Sequence, residues 1–407
     1  MDFGTIGKRV AAVFLLATLC SGICKAQYER TCVKRDFNAY YKNANYDETK
    51  VPEYSLPDVM LCLSGERVNS AEQWEAVRRP ELMNLFTEFM YGRQPAPDST
   101  FRAETAGADR KLKNLRALRR DIIMHLTADG PDVTLSIIWR NNGKRAVSQK
   151  TILGLSFIPT DSILTVHKDG SLPKGAEAWQ VDSLLSHGYT LATFCYTDAE
   201  KDKAKDDFQS SLLHRHFYKP AQQYPMPDEW GALACWAWTA SRAVDAMQRL
   251  AADVVKLDDI AIMGHSRLGK TALWAGATDQ RFRAVVAVNS GCCGAALSRR
   301  CFGETLECVN EFSYQWLCGN FRQFSHRENY LPFDQHELLA LIAPRKLIVI
   351  SGTEDLWADP KGEELGCTYA RPVFSLYNKP DALVYRLRQG PHAVLKNDWS
   401  FILKTLE

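Results

Sequence analysis

The sequence predicts an α/β fold with a mostly parallel central sheet and helices on both faces. Two observations carry the prediction. Short apolar runs of strand type alternate with helical stretches through most of the chain, the order that buries a parallel sheet between crossover helices. One run, Ile260 to Met263, breaks at Gly264-His265-Ser266 and passes at once into Leu268, Ala272, Leu273, Ala275 and Ala277, which read as a helix of small residues.

The first 26 residues stand apart from this pattern. Lys8 and Arg9 precede the apolar run Val10 to Leu19, and Cys24-Lys25-Ala26 offers a small-residue cleavage site before Gln27. Residues 1–26 therefore read as a signal peptide, and their apolar run is too short to span a bilayer. The chain is expected to be exported, periplasmic or secreted, with no membrane span. About 380 residues remain, ample for a substantial core. The chain has 50 Lys and Arg against 48 Asp and Glu; the leader holds three of these bases and one acid, so 47 of each remain. No basic block stands out, and no nucleic-acid partner is expected.

Ten cysteines follow the leader, five of them between Cys292 and Cys318. Export permits disulfides, but spacing alone does not give their pairing. No Cys-x-x-Cys occurs, and the histidine pair His214 and His216 lacks neighbouring ligand types, so neither a metal nor another cofactor is expected.

In chain order, residues 27–100 form an N-terminal extension expected to pack on a catalytic domain of residues 101–407. The extension is aromatic and Pro-containing, with an amphipathic helix around Ala71 to Met90. Strands are expected at Asp121–Leu126, Val133–Trp139 and Thr151–Phe157, then a helix at Trp179–His187 and a strand at Thr190–Cys195. The polar stretch 197–230 suits a loop over the sheet. A long helix from Trp230 to Ala251 leads into the strand before Ser266, and strands at Ala284–Val288, Lys346–Ser351 and Ala382–Leu387 follow.

A strand that turns at Gly-x-Ser into a helix is the nucleophile elbow of the α/β-hydrolase fold, which lifts a serine hydroxyl above the sheet edge. The second glycine of the usual pattern comes one position late, at Gly269. A serine nucleophile needs a base, and the base needs an acid to fix its tautomer. In this fold they follow in the order Ser, acid, His. Lys346 to Ser351 runs into Gly352-Thr353-Glu354-Asp355, a strand ending in a loop that presents a carboxylate; Asp359 lies four residues further on and is the weaker candidate. Gln389-Gly390-Pro391-His392 follows the last strand, where the base belongs. Ser266, Asp355 and His392 are the catalytic set so read. Arg267 and Lys270 follow the serine at one and four positions, where a guanidinium could stabilise an oxyanion and an ammonium could bind polar substrate atoms. Cations at a helix N-terminus oppose its dipole, which argues that something other than helix stability keeps them there.

These residues resemble the glucuronoyl esterases, carbohydrate esterase family 15, and its bacterial branch in particular. The resemblance covers most of the chain after about residue 120. It rests on Gly264-x-Ser-Arg-x-Gly-Lys270, on Ser290-Gly291-x-x-Gly294 with Gly303-Glu304-Thr305, on Phe333-Asp-Gln-His-Glu337 and on Glu354-Asp355-Leu356-Trp357. It implies Ser266 as nucleophile, His392 as base and Arg267 as an oxyanion-hole donor, with Lys270, Glu304 and Trp357 contacting a glucuronate. The implied substrate is the ester between a (4-O-methyl)glucuronoyl group of glucuronoxylan and a lignin-type alcohol. Many members carry a glutamate immediately before the Ser-Gly of the second motif; here it is Asn289, which carries no charge. Some bacterial members place the acid after the later strand instead, which matches Asp355. Asn289 is thus expected to matter little. The fungal branch has a cysteine before the nucleophile, bridged to one near the histidine; His265 stands there, so that disulfide is absent.

Two competing readings are an esterase on acetyl or feruloyl xylan and a non-catalytic carbohydrate-binding protein of the same fold. The polar set Arg267, Lys270 and Glu304 disfavours the first, and the intact Ser266, Asp355 and His392 disfavour the second. A monomer is the favoured state.

Overall fold

The apolar runs become the strands of one sheet. In the computed structural model, residues 36–141, 147–167, 169, 171–203 and 210–407 are described; the expected leader lies outside them. The chain divides into two units, Met1–Asn43 and Ala44–Glu407. In the first, Phe37–Asn43 is a short helix with no buried residue. The second holds the sheet, and residues 44–100 belong to it.

The strands are β1 (Arg102–Thr105), β2 (Arg110–Leu112), β3 (Ala117–His125), β4 (Asp132–Arg140), β5 (Gln149–Ser156), β6 (Thr190–Cys195), β7 (Val255–His265), β8 (Phe282–Val288), β9 (Lys346–Gly352) and β10 (Leu383–Arg388). They lie in the order β1-β3-β4-β6-β5-β7-β8-β9-β10, with β2 against β3. Pairing from β6 through β5 and β7 to β10 is parallel, and β1 to β4 add an antiparallel wing. The strands β1 and β2 were not expected; both are short, lie at the wing and bury almost nothing, so they lack the apolar alternation that reveals a strand.

Strands buried on both faces explain the near-continuous apolar runs. On β8, Val285 and Ala287 enter one core while Ala284, Val286 and Val288 enter the other. Leu347 and Val349 of β9 likewise oppose Ile348 and Ile350. The first core is closed by the helices Ala232–Leu250 and Arg267–Thr278, the second by Val181–Ser186 and Lys396–Leu406. Each fully buried Val, Leu or Ile side chain contributes about 1.5–3 kcal/mol. Residues 71–91 are helical, interrupted by two π turns, and send Trp74, Leu82, Phe86 and Tyr91 into the first core. The Tyr91 ring stacks on Trp274 of the helix after Ser266, with centroids 4.1 Å apart.

The parallel strands bring their carboxyl ends to one edge of the sheet. Ser266 follows β7, Asn289 follows β8, Asp355 lies three residues beyond β9 and His392 four beyond β10. Ligands of open α/β sheets bind along this edge.

Candidate active site

Ser266 sits at φ 57° and ψ −129°, between strand β7 and the helix Arg267–Thr278. A side chain at positive φ is strained, and that conformation is what points the hydroxyl out of the turn. Two contacts hold it: Ser266 N donates to the Val288 carbonyl at 2.9 Å, and the Ser266 carbonyl accepts from Gly269 N at 2.8 Å. A methyl group at Gly264 would collide with the Leu268 carbonyl, so only glycine lets the strand and helix cross this closely. With Gly269 N and Lys270 N on the Ser266 carbonyl, the N–H groups of Arg267 and Leu268 open the helix without an acceptor one turn back.

The expected acid and base meet. His392 Nδ1 lies 2.5 Å from Asp355 Oδ2, with the carboxylate side chain 3% exposed and the imidazole 40% exposed. An ionised Asp355 can only accept, so Nδ1 carries the proton and Nε2 is left as the basic atom. The His392 ring stands 4.6 Å from that of His265, the residue next to Ser266. Burial, and then His392 itself, push the His265 imidazole down to about 3, so it stays neutral.

Asp359 is turned elsewhere. Its carboxylate accepts from Arg300 Nε at 2.8 Å and caps the helix Pro360–Leu376 through Gly362 N at 2.9 Å. Glu354 is exposed and accepts from Gln389. Of the three acids in this loop, only Asp355 reaches the histidine.

Asn289 touches the acid. Read from sequence it was expected to matter little, yet its Nδ2 donates to Asp355 Oδ2 at 2.7 Å. Its Oδ1 accepts from Arg388 Nη2 at 3.3 Å. Arg388 is buried, paired through Nε with Asp398 at 3.1 Å, and donates to the carbonyls of Pro391 and Ala393 on either side of His392. Asn289 and Arg388 thus tie the acid and the histidine loop into one network, which sequence reasoning missed.

The residues expected at the substrate also gather here. Lys270 Nζ donates to Glu304 Oε2 at 3.0 Å and to the Ser290 carbonyl at 2.8 Å. Burial opposes its charge, but Glu304 and the neighbouring Cys292 and Cys293 outweigh that and raise its pKa. Glu304 N donates to the Trp357 carbonyl at 2.9 Å, which brings Trp357 to the same place. Arg267 is ion-paired to Asp202 and lies between two rings, 5.0 Å from Trp316 and 5.8 Å from Phe157. Asp202 also accepts from Trp316 Nε1 and Gln315 Nε2, both at 2.8 Å, and from the Tyr196 hydroxyl at 2.9 Å. It was missed because it opens the polar stretch 197–230, where no periodicity marks one acid from another. Its carboxylate resolves the conflict of a cation at a helix N-terminus.

The nine cysteines among the described residues are all free, and eight are buried. Cys32 lies outside the described residues. No described helix is long and apolar enough to cross a membrane.

Comparison with known proteins agrees with this fold. A carbohydrate esterase, MZ0003, from an unknown prokaryotic organism is 35% identical over 407 residues, 91% of this chain and 93% of that protein. The family profile "Glucuronyl esterase, fungi" matches residues 175–377. The structure of a glucuronoyl esterase from Solibacter usitatus superposes with a TM-score of 0.80 at 35% identity, over 88% of this chain and 98% of that one. The chain belongs to the glucuronoyl esterases of carbohydrate esterase family 15. A promiscuous esterase of the same family, from a marine bacterial metagenome, superposes with a TM-score of 0.78 at 33% identity, over 89% of this chain and 99% of that one. This glucuronoyl esterase is therefore a carboxylic ester hydrolase, and its bacterial relatives match it nearly end to end.

Proposed function

We propose that this esterase hydrolyses esters of (4-O-methyl)glucuronoyl groups of glucuronoxylan with lignin-type alcohols. The contact between His392 Nδ1 and Asp355 Oδ2 beside the Ser266 elbow carries the reading. Ser266 Oγ attacks the ester carbonyl while His392 Nε2 takes its proton. The helix N–H groups and Arg267 stabilise the oxyanion, and Nε2 returns the proton to the alcohol as the C–O bond breaks. Water then hydrolyses the acyl-enzyme by the same steps. Lys270, Glu304 and Trp357 hold the sugar, a polar set for which an acetyl ester has no use. Reading residues 1–26 as a leader supports export to the periplasm or the medium.

The test is hydrolysis of benzyl glucuronate beside a simple acetyl ester. Turnover of the glucuronate with little of the acetyl ester, unchanged by a chelator, is expected. Equal or faster turnover of the acetyl ester would count against the reading.

A further inference from the structure

Residues 44–50 lie against the loop that leads into Glu304. Their shape is set locally. Asn45 Oδ1 accepts from Asp47 N at 2.9 Å, and Asp47 caps the single turn Glu48–Lys50 through Thr49 N at 3.0 Å. None of residues 44–50 enters either core of the sheet. Yet the segment is fastened at three points, and all three fall on residues 300–303. The Asn45 carbonyl accepts from Gly303 N at 2.8 Å. The Tyr46 ring meets Phe302 edge-on, with centroids 6.4 Å apart. Glu48 pairs with Arg300 at 2.6 Å, and the Arg300 guanidinium lies 5.7 Å from the Phe302 ring.

Behind this loop stands the one that carries Trp357 and the acid. Gly303 has φ 62°, and a methyl group there would come within 2.5 Å of the carbonyl oxygens of Leu356 and Trp357. Only glycine lets the two loops stack so closely. Glu304 N donates to the Trp357 carbonyl at 2.9 Å, and Arg300 Nε pairs with Asp359 at 2.8 Å. Three layers of chain therefore stack in order: residues 44–48, residues 300–304 and residues 355–359. Glu304 lies in the middle layer, where its Oε2 accepts from the Lys270 ammonium at 3.0 Å. Residues 301–305 belong to no helix or strand, so their placement depends on what packs against them from either side. A binding group must be held within about 0.5 Å of its productive position, which a loop achieves only when it is supported.

We propose that residues 44–48 form a strap that positions Glu304 for the glucuronoyl group, with Tyr46 and Glu48 as its side-chain fastenings. Both act through residues 300–304, so they are positioning residues. The inference rests on the reading of Glu304 as a sugar contact. A contact made equally with the bound ester and the transition state changes KM and leaves kcat alone. A segment that only supported folding would do the reverse, lowering the active fraction and hence the apparent kcat at constant KM.

The experiment measures KM and kcat for benzyl glucuronate in the wild type and in Tyr46→Ala, Glu48→Lys and Glu304→Gln. Tyr46→Ala is expected to raise KM about two- to tenfold, the worth of one aromatic pair, with kcat unchanged. Glu48→Lys sets an ammonium against Arg300 and should raise KM in the same range. The Glu48 side chain is 55% exposed, so this variant keeps its fold. The effects should couple: in Glu304→Gln, where the contact to be positioned is already weakened, Tyr46→Ala is expected to raise KM less than about twofold. If Glu304→Gln raises KM while Tyr46→Ala and Glu48→Lys leave it unmoved, the strap alone is overturned. A fall in kcat at constant KM, or a fully additive double variant, overturns it equally. A KM unmoved by Glu304→Gln overturns the parent reading of that residue as well.

Discussion

Asn289 donates its amide hydrogen to the same carboxylate oxygen of Asp355 that holds His392, at 2.7 Å. The direction of that bond is fixed from behind. Arg388 has only donors to offer, so the amide oxygen faces the guanidinium and the NH₂ faces the acid. The Asp355 carboxylate is thereby held on two donors, and its free rotation is stopped. Asn289 also sits at φ 49°, where alanine would add strain of its own. Glycine removes the amide without that strain. Asn289→Gly is expected to lower kcat by about 10- to 100-fold, the cost of one hydrogen bond to a charged group. Its melting temperature should stay close to the wild type. Steady-state kinetics and a thermal melt, run together, check this; unchanged kcat would return Asn289 to a bystander.

The two acids of the loop should separate by readout. Asp355→Ala leaves the imidazole without the group that fixes its tautomer, and turnover is expected to drop by about 10⁴-fold. Ser266→Ala and His392→Ala should match or exceed that loss, since the members act as a unit. Asp359→Ala breaks a buried pair with Arg300 and a helix cap, and is expected to cost about 3–5 kcal/mol of stability while sparing kcat at temperatures where the variant is folded. Denaturant titration beside kinetics distinguishes them. A near-normal Asp355→Ala enzyme would move the acid elsewhere.

Below the elbow lies a second carboxylate with a different task. Glu363 is fully buried and accepts from Ser290 Oγ at 2.7 Å, Gly291 N at 2.9 Å and Ser351 Oγ at 2.5 Å. Burial pushes its carboxyl up to about 7, from an ordinary 4.5. The folded state therefore binds this proton more tightly than the unfolded chain. Its contribution to stability is complete below pH 4.5 and is lost as pH rises through about 7. Glu363→Gln should flatten this part of the profile. Melting temperatures of both proteins between pH 4 and 8 test it, and parallel profiles would show that Glu363 does not set the slope.

The sequence disclosed what is local. Ser266, Asp355 and His392 each follow a run of apolar residues at a turn, so strand and loop could be read together and their order matched to the fold. The long buried strands β6, β8 and β9 were legible for the same reason. The contacts of Asn289 were not legible because its two partners lie 66 and 99 residues away and are brought together only by the sheet. Arg388 was invisible for another reason. It shares a face with Arg386 by strand period, and nothing in the chain tells the exposed guanidinium on Asn397 from the buried one on Asp398. Asp202 lay hidden in a stretch without pattern.

The pairing of Arg267 with Asp202, and of Lys270 with Glu304, bears on how the reaction ends. Hydrolysis turns an uncharged ester into an anion. An unopposed guanidinium in such a pocket would grip that anion and slow every following cycle. Here each cation already has its own carboxylate, so quick departure of the newly formed acid is the expected outcome. Free glucuronate is expected to be a weak inhibitor of the wild type, and in Asp202→Asn its inhibition constant should tighten about tenfold, or 1.4 kcal/mol. Inhibition constants that agree between the two proteins would deny Asp202 this part in clearing the site.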